Sequence, residues 1–375
     1  MIAVEPELRD DPMASFYRDL EAKHMDALWR GVEGERPAGP RAPYQPCHWR
    51  WADIAPFMER AGQLVEPGPA ASRRVIQLIN PDLQASRSAS HSLTANLQMV
   101  LPGELAPSHR HTSGAIRFIL QGRAAITVVN GEPVEMKPGD LVLTPGWCWH
   151  GHINESDGPM VWMDSLDRPL TSALRQVIQE PYPGGGLQPV SVPAGESYAR
   201  FGPGHLRPIG ARPASSVSPL FSFPWEATES ALRGLAASEG DPFDDVALDY
   251  TNPLTGSHVM PTMGCRIQMI RGSRHTRAHR HSSVGVHHVF RGSGATIVDG
   301  VRIDWQQGDF FVVPPFSWHE HVNDGSEDAV LFSTTDQPVL EALCLYREDA
   351  YDESDGHQAV TARYSERYGY DRDRR

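Results

Sequence analysis

A chain of 375 residues, 40% of them apolar, is long enough for two domains with full-sized cores, and no apolar run approaches the roughly eighteen residues of a membrane span. A formal net charge of −13 at pH 7 excludes nucleic acid and anionic membrane as expected partners, so any affinity for an anion must be local to one site. Cys47, Cys148, Cys265 and Cys344 form no C-x-x-C pair, which argues against a disulfide framework or a cysteine zinc site and fits a reducing cytoplasm.

The opening residues, MIAVEPELRDDPM, lack a basic segment followed by an apolar one, so no secretory signal is expected. Residues 12–30 read as an amphipathic helix. Asp11 is the cap, Pro12 takes the first helical position, and Met13, Phe16, Tyr17, Leu20, His24, Ala27 and Leu28 follow a 3–4 spacing. Residues 1–44 are therefore assigned to a helical N-terminal arm.

From residue 45 the texture changes to short strands cut by Gly, Pro and Asn: RRVIQLIN, HSLTANLQMVL, AIRFIL, AAITVV, DLVLTP and MVWMDSL. This gives a first all-β domain over 45–175. Within it His109 and His111 stand two apart in a β-prone run, so both imidazoles enter one interior. His150 follows in TPGWCWHGHIN. Residues 181–224 carry nine prolines and the run Gly184-Gly185-Gly186, so 176–240 is expected to be a linker with one short helix, from Pro224 or Trp225 to Ala236.

The first half then returns. Gly272, His279, His281, Gly292, Gly308, Pro314, Trp318, His319, His321 and Asn323 echo Gly103, His109, His111, Gly122, Gly139, Pro145, Trp149, His150, His152 and Asn154, at offsets of 169 or 170. A repeat this long signals two copies of one β domain, the second over 241–348, with a charged, tyrosine-rich tail over 349–375 acting as a strap at an interface.

The motif Gly103-x5-His109-x-His111-x3-Ala115-x6-Gly122 followed by Gly139-x5-Pro145-x4-His150-x3-Asn154 resembles the paired motifs of cupins, and the second copy repeats it from Gly272 to Asn323. The longer runs LPGELAPSHRHTSGAIRF, WCWHGH, NPLTG, RAHRHSSVGVHHVFRGSG and GDFFVVPPFSWHEHVN are similar to the bicupin gentisate 1,2-dioxygenase family, which includes salicylate and 1-hydroxy-2-naphthoate dioxygenases. The resemblance covers roughly residues 45–348. It implies an all-β fold of two double-stranded β-helix (jelly-roll) domains, Fe(II) as cofactor, and O2-dependent ring cleavage of a 2-hydroxybenzoate. It also implies a homotetramer. Two other functions stay open: a bicupin metalloenzyme of different chemistry, such as a metal-dependent isomerase, and a non-catalytic ligand-binding bicupin.

Ala115 and Gly285 stand where cupins usually carry a glutamate, which leaves three histidines and no carboxylate in each copy. A lone H-x-H pair is most often two core or surface histidines. Here the third histidine and the flanking Gly, Pro and Asn recur at matching spacing, so His109, His111 and His150 are assigned as metal ligands. His279, His281 and His319 form a second set that either binds metal or keeps only its shape. Three neutral imidazoles leave the full 2+ charge uncompensated, which favours a chelating dianion such as a carboxylate with an ortho phenolate. Affinity order alone favours Cu or Zn, so iron is what the resemblance implies.

His152 is either the acceptor of the substrate's hydroxyl proton or a group that only orients a ligand. Arg117 shares the parity of His109, His111 and Ala115 and points inward. It either clamps the substrate carboxylate or pairs with an acid such as Asp164. Arg73 and Arg74 alternate across their strand. The resemblance implies a carboxylate-binding arginine there, and Arg73 is assigned. Gln98 lies in line with Thr94 and Asn96, and all three are expected to line the cavity. Family members tend to carry an aromatic where Thr94 stands and glycine where Asn96 stands. The departure points to a substituted salicylate beside gentisate, the commoner substrate. Trp147 and Trp149 are expected to pack between sheets, and Cys148 to be a small buried residue. His91, His258, His275, His287 and His288 have no spacing that implies chemistry.

Overall fold

The computed structural model describes residues 11–30, 42–66, 73–204, 206–211 and 217–364, and the chain divides into one unit over residues 1–41 and a second over 42–375. In the first unit, α1 (Pro12–Glu21) starts on Asp11, whose side chain accepts the Met13 N–H, with Pro12 where a missing N–H costs nothing. The helix is shorter than the predicted 12–30. No residue of α1 is buried, and a helix without an apolar face to pack gains little by growing; the chain turns at His24, whose φ is 57°.

The second unit contains two barrels of the same topology. In the first, a six-stranded sheet runs in the order Ser222–Phe223, Leu141–Thr144, Ala115–Gln121, Met160–Leu166, Ala95–Val100, Arg74–Leu78. It packs on a five-stranded sheet in the order Gln179–Pro181, Leu105–His111, His150–Asn154, Ala125–Val129, Glu132–Met136. In the second, Cys47–Trp49, Phe310–Val313, Gly285–Arg291, Ala329–Thr335, Gly264–Ile270 and Val246–Asp249 form the first sheet. Its companion holds Glu348–Ala350, His279–His281, His319–Asn323, Ser293–Val298, Val301–Gln306 and Ala362–Arg363, with Arg274–His275 also paired to His319–Asn323. Strands consecutive in the chain cross between sheets, the wiring of a jelly roll.

The six-stranded sheets are buried on both faces, and AIRFIL shows why. Ile116 and Phe118 turn outward into a core shared between the barrels, with Leu97, Leu141 and Met163 on one side and Ile267, Val286, Phe310 and Phe332 on the other. Ile119 turns inward to meet Trp162, Val134 and Met136 inside the first barrel. Phe118 and Phe332 stack across the shared core at 4.1 Å and 9°.

Two strands cross between the halves. Cys47–Trp49 pairs with Phe310–Val313 of the second barrel, and Ser222–Phe223 pairs with Leu141–Thr144 of the first. The stretch expected as a linker thus supplies edge strands, Gln179–Pro181 among them, as well as the short helix Glu196–Phe201 and α3 (Trp225–Ala236). Its prolines and glycines mark turns between pieces too short to show a period. A further helix, α2 (Trp51–Leu64), lies where the sequence suggests strands. Pro56 falls inside it and disguises the i, i+4 pair Ile54 and Met58 that it buries. The tail lies along the second barrel through Glu348–Ala350 and Ala362–Arg363, and its residues 365–375 lie outside the described residues.

Phe118→Ala opens a cavity at the stacked pair, and urea denaturation should show a loss of about 3–5 kcal/mol. A loss below about 1 kcal/mol would mean that the two barrels do not depend on this shared core.

Candidate metal centre

The Leu105–His111 and His150–Asn154 strands run side by side, with His109 directly opposite His150. His111 is two residues further along the same face. The ring centroids of His109, His111 and His150 stand 4.3, 4.9 and 5.2 Å apart, and one nitrogen from each lies within 4.8 Å of the others. Backbone carbonyls set the tautomers: Nδ1 of His111 donates to Ser113 O at 2.7 Å, and Nδ1 of His150 donates to Cys148 O at 3.0 Å. Each Nε2 therefore keeps its lone pair. His150 Nε2 is buried with no hydrogen-bond partner, which is what a metal ligand needs. Gly151 separates His150 from His152 because a Cβ there would stand 2.6 Å from Ser108 Oγ.

Burial holds the imidazoles neutral. It pushes His109 down to about 2, with Arg73 adding to the effect, and His111 down to about 4. His150 and His152 are driven well below the ordinary histidine range, again by burial first and by Arg117 second. The donors thus fit a divalent metal of the borderline type, and Ala115 supplies no carboxylate to the set.

The triad opens on a cavity of about 570 Å³. Arg73, Asn96, Gln98, His109, His111, Arg117, Asp164 and Arg168 are among its lining, so three arginines face one acid in a chain of net charge −13. Arg73 lies against His109, with Nη2 2.6 Å from Nδ1 and Nη1 3.0 Å from Nε2. Burial lowers its pKa to about 10, helped by Arg117 and opposed by Asp164. Arg74 points the other way, to Glu104 at 2.8 Å.

Arg117 pairs with Asp164: Nε and Oδ1 are 2.9 Å apart, though off the hydrogen-bond axis, and Nη1 donates to Thr144 Oγ1 at 2.6 Å. The internal partner and the inward, cavity-facing position are both present. Asp164 also accepts the Trp162 indole N–H at 3.0 Å, and burial pushes its carboxyl up against the pull of Arg117. Asn96 Oδ1 and Gln98 Nε2 are buried without partners. Thr94 departs from the expectation. Its hydroxyl accepts from Leu166 N and Asn96 Nδ2, and it lines a neighbouring cavity of about 640 Å³ with Arg87, His91 and Arg168.

His152 lies behind the triad, wholly buried, with Nδ1 2.8 Å from Thr127 Oγ1. The Thr127 hydroxyl also reaches Met136 Sδ at 3.1 Å, and His152 Nε2 is buried and unpartnered. Trp147 and Trp149 do not pack between sheets. The Arg110 guanidinium lies over both rings at 4.4 and 4.5 Å, a cation–π pairing that spacing within one strand does not reveal. Arg168, from the short helix Arg168–Ala173, carried no sequence signal.

The second triad repeats the ligand geometry. Nδ1 of His281 and His319 donate to Ser283 O and Ser317 O, and Nε2 of His279 and His319 are 2.8 Å apart. Its surroundings differ. Phe243 stacks on His279 and Tyr346 on His281. Asp244 acts on His279 and faces a cavity of about 550 Å³ lined by Glu239, Asp241, Asp245 and Asp249. That acidic surface repels an anion.

The cupin domain family model matches residues 96–166 and 266–335, one stretch in each barrel. A 5-aminosalicylate 1,2-dioxygenase of Comamonas sp is 40% identical over 361 residues, covering 93% of this chain and 95% of the relative. Gentisate 1,2-dioxygenase 1 of Aquipseudomonas alcaligenes is 37% identical over 89% of this chain and 95% of its own. The crystal structure of a salicylate 1,2-dioxygenase from Pseudaminobacter salicylatoxidans superposes with a TM-score of 0.84 at 31% identity, covering 93% of this chain and 99% of that one.

Histidines held neutral in the folded state titrate near 6.5 once unfolded, so the unfolded chain takes up protons that the folded chain refuses. Stability of the metal-free chain is therefore full above about pH 6.5 and falls as the pH drops towards 4, by on the order of 2 kcal/mol at pH 5 for each imidazole held near 4. Urea midpoints between pH 7.5 and 5 should show this decline, and a flat profile would contradict the buried neutral histidines.

Proposed function

The chain belongs to the gentisate 1,2-dioxygenase family of bicupin ring-cleaving enzymes, and on that premise we propose that it opens a 2-hydroxybenzoate between its carboxyl- and hydroxyl-bearing carbons, with Fe(II) held by His109, His111 and His150. The observation that carries this is an imidazole triad without a carboxylate facing a cavity rich in arginine. When bound, the iron supplies a template for both reactants and the electron conduit between ring and O2. Zinc, which has no redox chemistry, does not meet that need.

The protein's own groups handle charge and protons. Arg73 and Arg117 hold the substrate carboxylate, Arg117 being fixed in place by Asp164 and Thr144. Arg168 adds a third positive charge at the lining, which favours an anion in an otherwise acidic protein. His152 accepts the hydroxyl proton at Nε2. Thr127 holds its Nδ1 side, and burial keeps it uncharged until that step. The closed interior around His150 and His152 excludes water from the reacting atoms.

Asn96 Oδ1 is a buried acceptor without a donor, and leaving it so costs free energy. A second ring substituent that donates a hydrogen bond, hydroxyl or amino, relieves that cost, and plain salicylate has only the hydroxyl ortho to its carboxylate. Gentisate and aminosalicylate are therefore the substrates we assign first. We place catalysis in the first barrel. The triad of His279, His281 and His319 holds a second metal without a cavity suited to an anion. By the same family membership we take the enzyme to be a cytoplasmic homotetramer.

Anaerobic reconstitution with Fe(II), followed by oxygen-electrode assays on gentisate, 5-aminosalicylate, salicylate and 1-hydroxy-2-naphthoate, tests the assignment. Uptake of one O2 per ring opened is expected, fastest with a donor-bearing salicylate. Metal uptake without O2 consumption on any of these acids would refute it. Arg73→Ala should weaken substrate binding by about 2–5 kcal/mol, read as a raised KM. His152→Ala should lower kcat by about 10²–10⁴-fold with iron content unchanged. Unchanged kinetics in either variant removes that residue from the scheme.

A further inference from the structure

We propose that His275, Glu320 and His357 form a divalent transition-metal site, distinct from both imidazole triads, on the outer face of the second barrel. Glu320 stands between His319 and His321 on their strand, so its side chain leaves by the opposite face from theirs. There Oε2 meets His275 Nε2 at 3.0 Å and His357 Nδ1 at 2.8 Å, and Oε1 accepts the Gln358 N–H at 2.8 Å. The two rings lie 4.2 Å apart, and the three ligand atoms fall within 4.8 Å of one another.

The carboxylate has the burial of a built site. Its side chain is 0% exposed, and among the described residues it pairs with two imidazoles but no lysine or arginine. A buried carboxylate with no lysine or arginine against it lacks a fixed positive charge, and a cation supplies it. The histidines are 42% and 35% exposed, which leaves a path from solvent. Ligand atoms around a tetrahedral zinc stand about 3.3 Å apart, so the observed spacings need open by only a few tenths of an ångström. On binding, each imidazole turns a lone pair to the metal where it now turns an N–H to Oε2, and water fills the remaining position. Two imidazoles and a carboxylate suit Zn²⁺, Cu²⁺ or Ni²⁺ rather than Mg²⁺ or Ca²⁺.

This set is not inherited from the repeat. Leu105 and Gly151 hold the positions of His275 and Glu320 in the first barrel, paired in the same register with Ile153 where the second has Val322. His357 comes from the tail, and the matching segment of the first barrel, whose Gln188 bonds to Val128 O as Gln358 bonds to Ile297 O, carries Leu187 in its place. The metal would join three segments: the Arg274–His275 strand, the His319–Asn323 strand and the tail at His357–Gln358. Its consequence is to fasten the tail, whose Gln358 also bonds to Ile297 O and Gly300 N.

The test is equilibrium dialysis of the full-length iron-loaded enzyme against Zn²⁺, with metals counted per chain by mass spectrometry. Wild type should retain one zinc more than the double variant His275→Gln/His357→Gln, with the ring-cleavage rate of the iron form equal in both before zinc is added. Zinc should also raise the Tm of wild type and slow proteolysis of its tail, and do neither in the double variant. Equal zinc in the two proteins overturns the site, whatever substrate the first barrel proves to take. Should the double variant fold poorly, the single variant His275→Gln, which leaves the tail contacts in place, is read by the same count.

Discussion

The structure rests on a hydrogen bond that recurs at each triad: a backbone carbonyl two residues away takes the Nδ1 proton of a histidine. Ser113 and Cys148 do this for His111 and His150, and Ser283 and Ser317 do it for His281 and His319. The bond fixes ring orientation and tautomer together, so that Nε2 lone pairs converge before anything binds. Strand register does the rest by setting His109 opposite His150 and His279 opposite His319. With Ala115 and Gly285 in place of a carboxylate, the charge of a bound dication is left for the substrate to balance.

Why the two triads differ follows from what surrounds them. In the first barrel Arg73, Arg117 and Arg168 outnumber Asp164 around an open cavity. In the second, Asn96 is replaced by Arg266, whose guanidinium is consumed by Asp244 and Asp249, while Phe243 and Tyr346 lie over the imidazoles. The same ligand scaffold thus faces an anion-attracting cavity in one barrel and lies beside aromatic rings and Asp244 in the other. The shared apolar core and the exchanged edge strands bind the barrels into one body, so the second supports the first even where it takes no substrate.

The repeat, the three-histidine sets and the inward side of Arg117 were legible because each is written in local spacing: parity along a strand, or a fixed offset between copies. Parity put one of Arg73 and Arg74 inside and the other outside, the resemblance implied an arginine there, and it is Arg74 that turns away to Glu104. What spacing could not show is which partner completes a contact from elsewhere in the chain. Arg110 over Trp147 and Trp149, Arg168 at the cavity and His357 beside His275 all depend on tertiary approach. Thr94 failed for a different reason: it stands just before the Ala95–Val100 strand, and its hydroxyl accepts from Leu166 N and Asn96. The helix Trp51–Leu64 was hidden by Pro56, and the edge strands of 176–240 by their own turn residues.

The central claim is that three neutral imidazoles, with no acidic side chain beside them, hold the iron at which a hydroxybenzoate is opened. A crystal structure of the iron-loaded chain, grown without oxygen in the presence of gentisate or 5-aminosalicylate, tests it most directly. The account predicts Nε2 of His109, His111 and His150 as the protein ligands, with the aromatic acid on the metal and its carboxylate against Arg73 and Arg117. A glutamate or aspartate in the ligand set, or the acid seated in the second barrel, would contradict it.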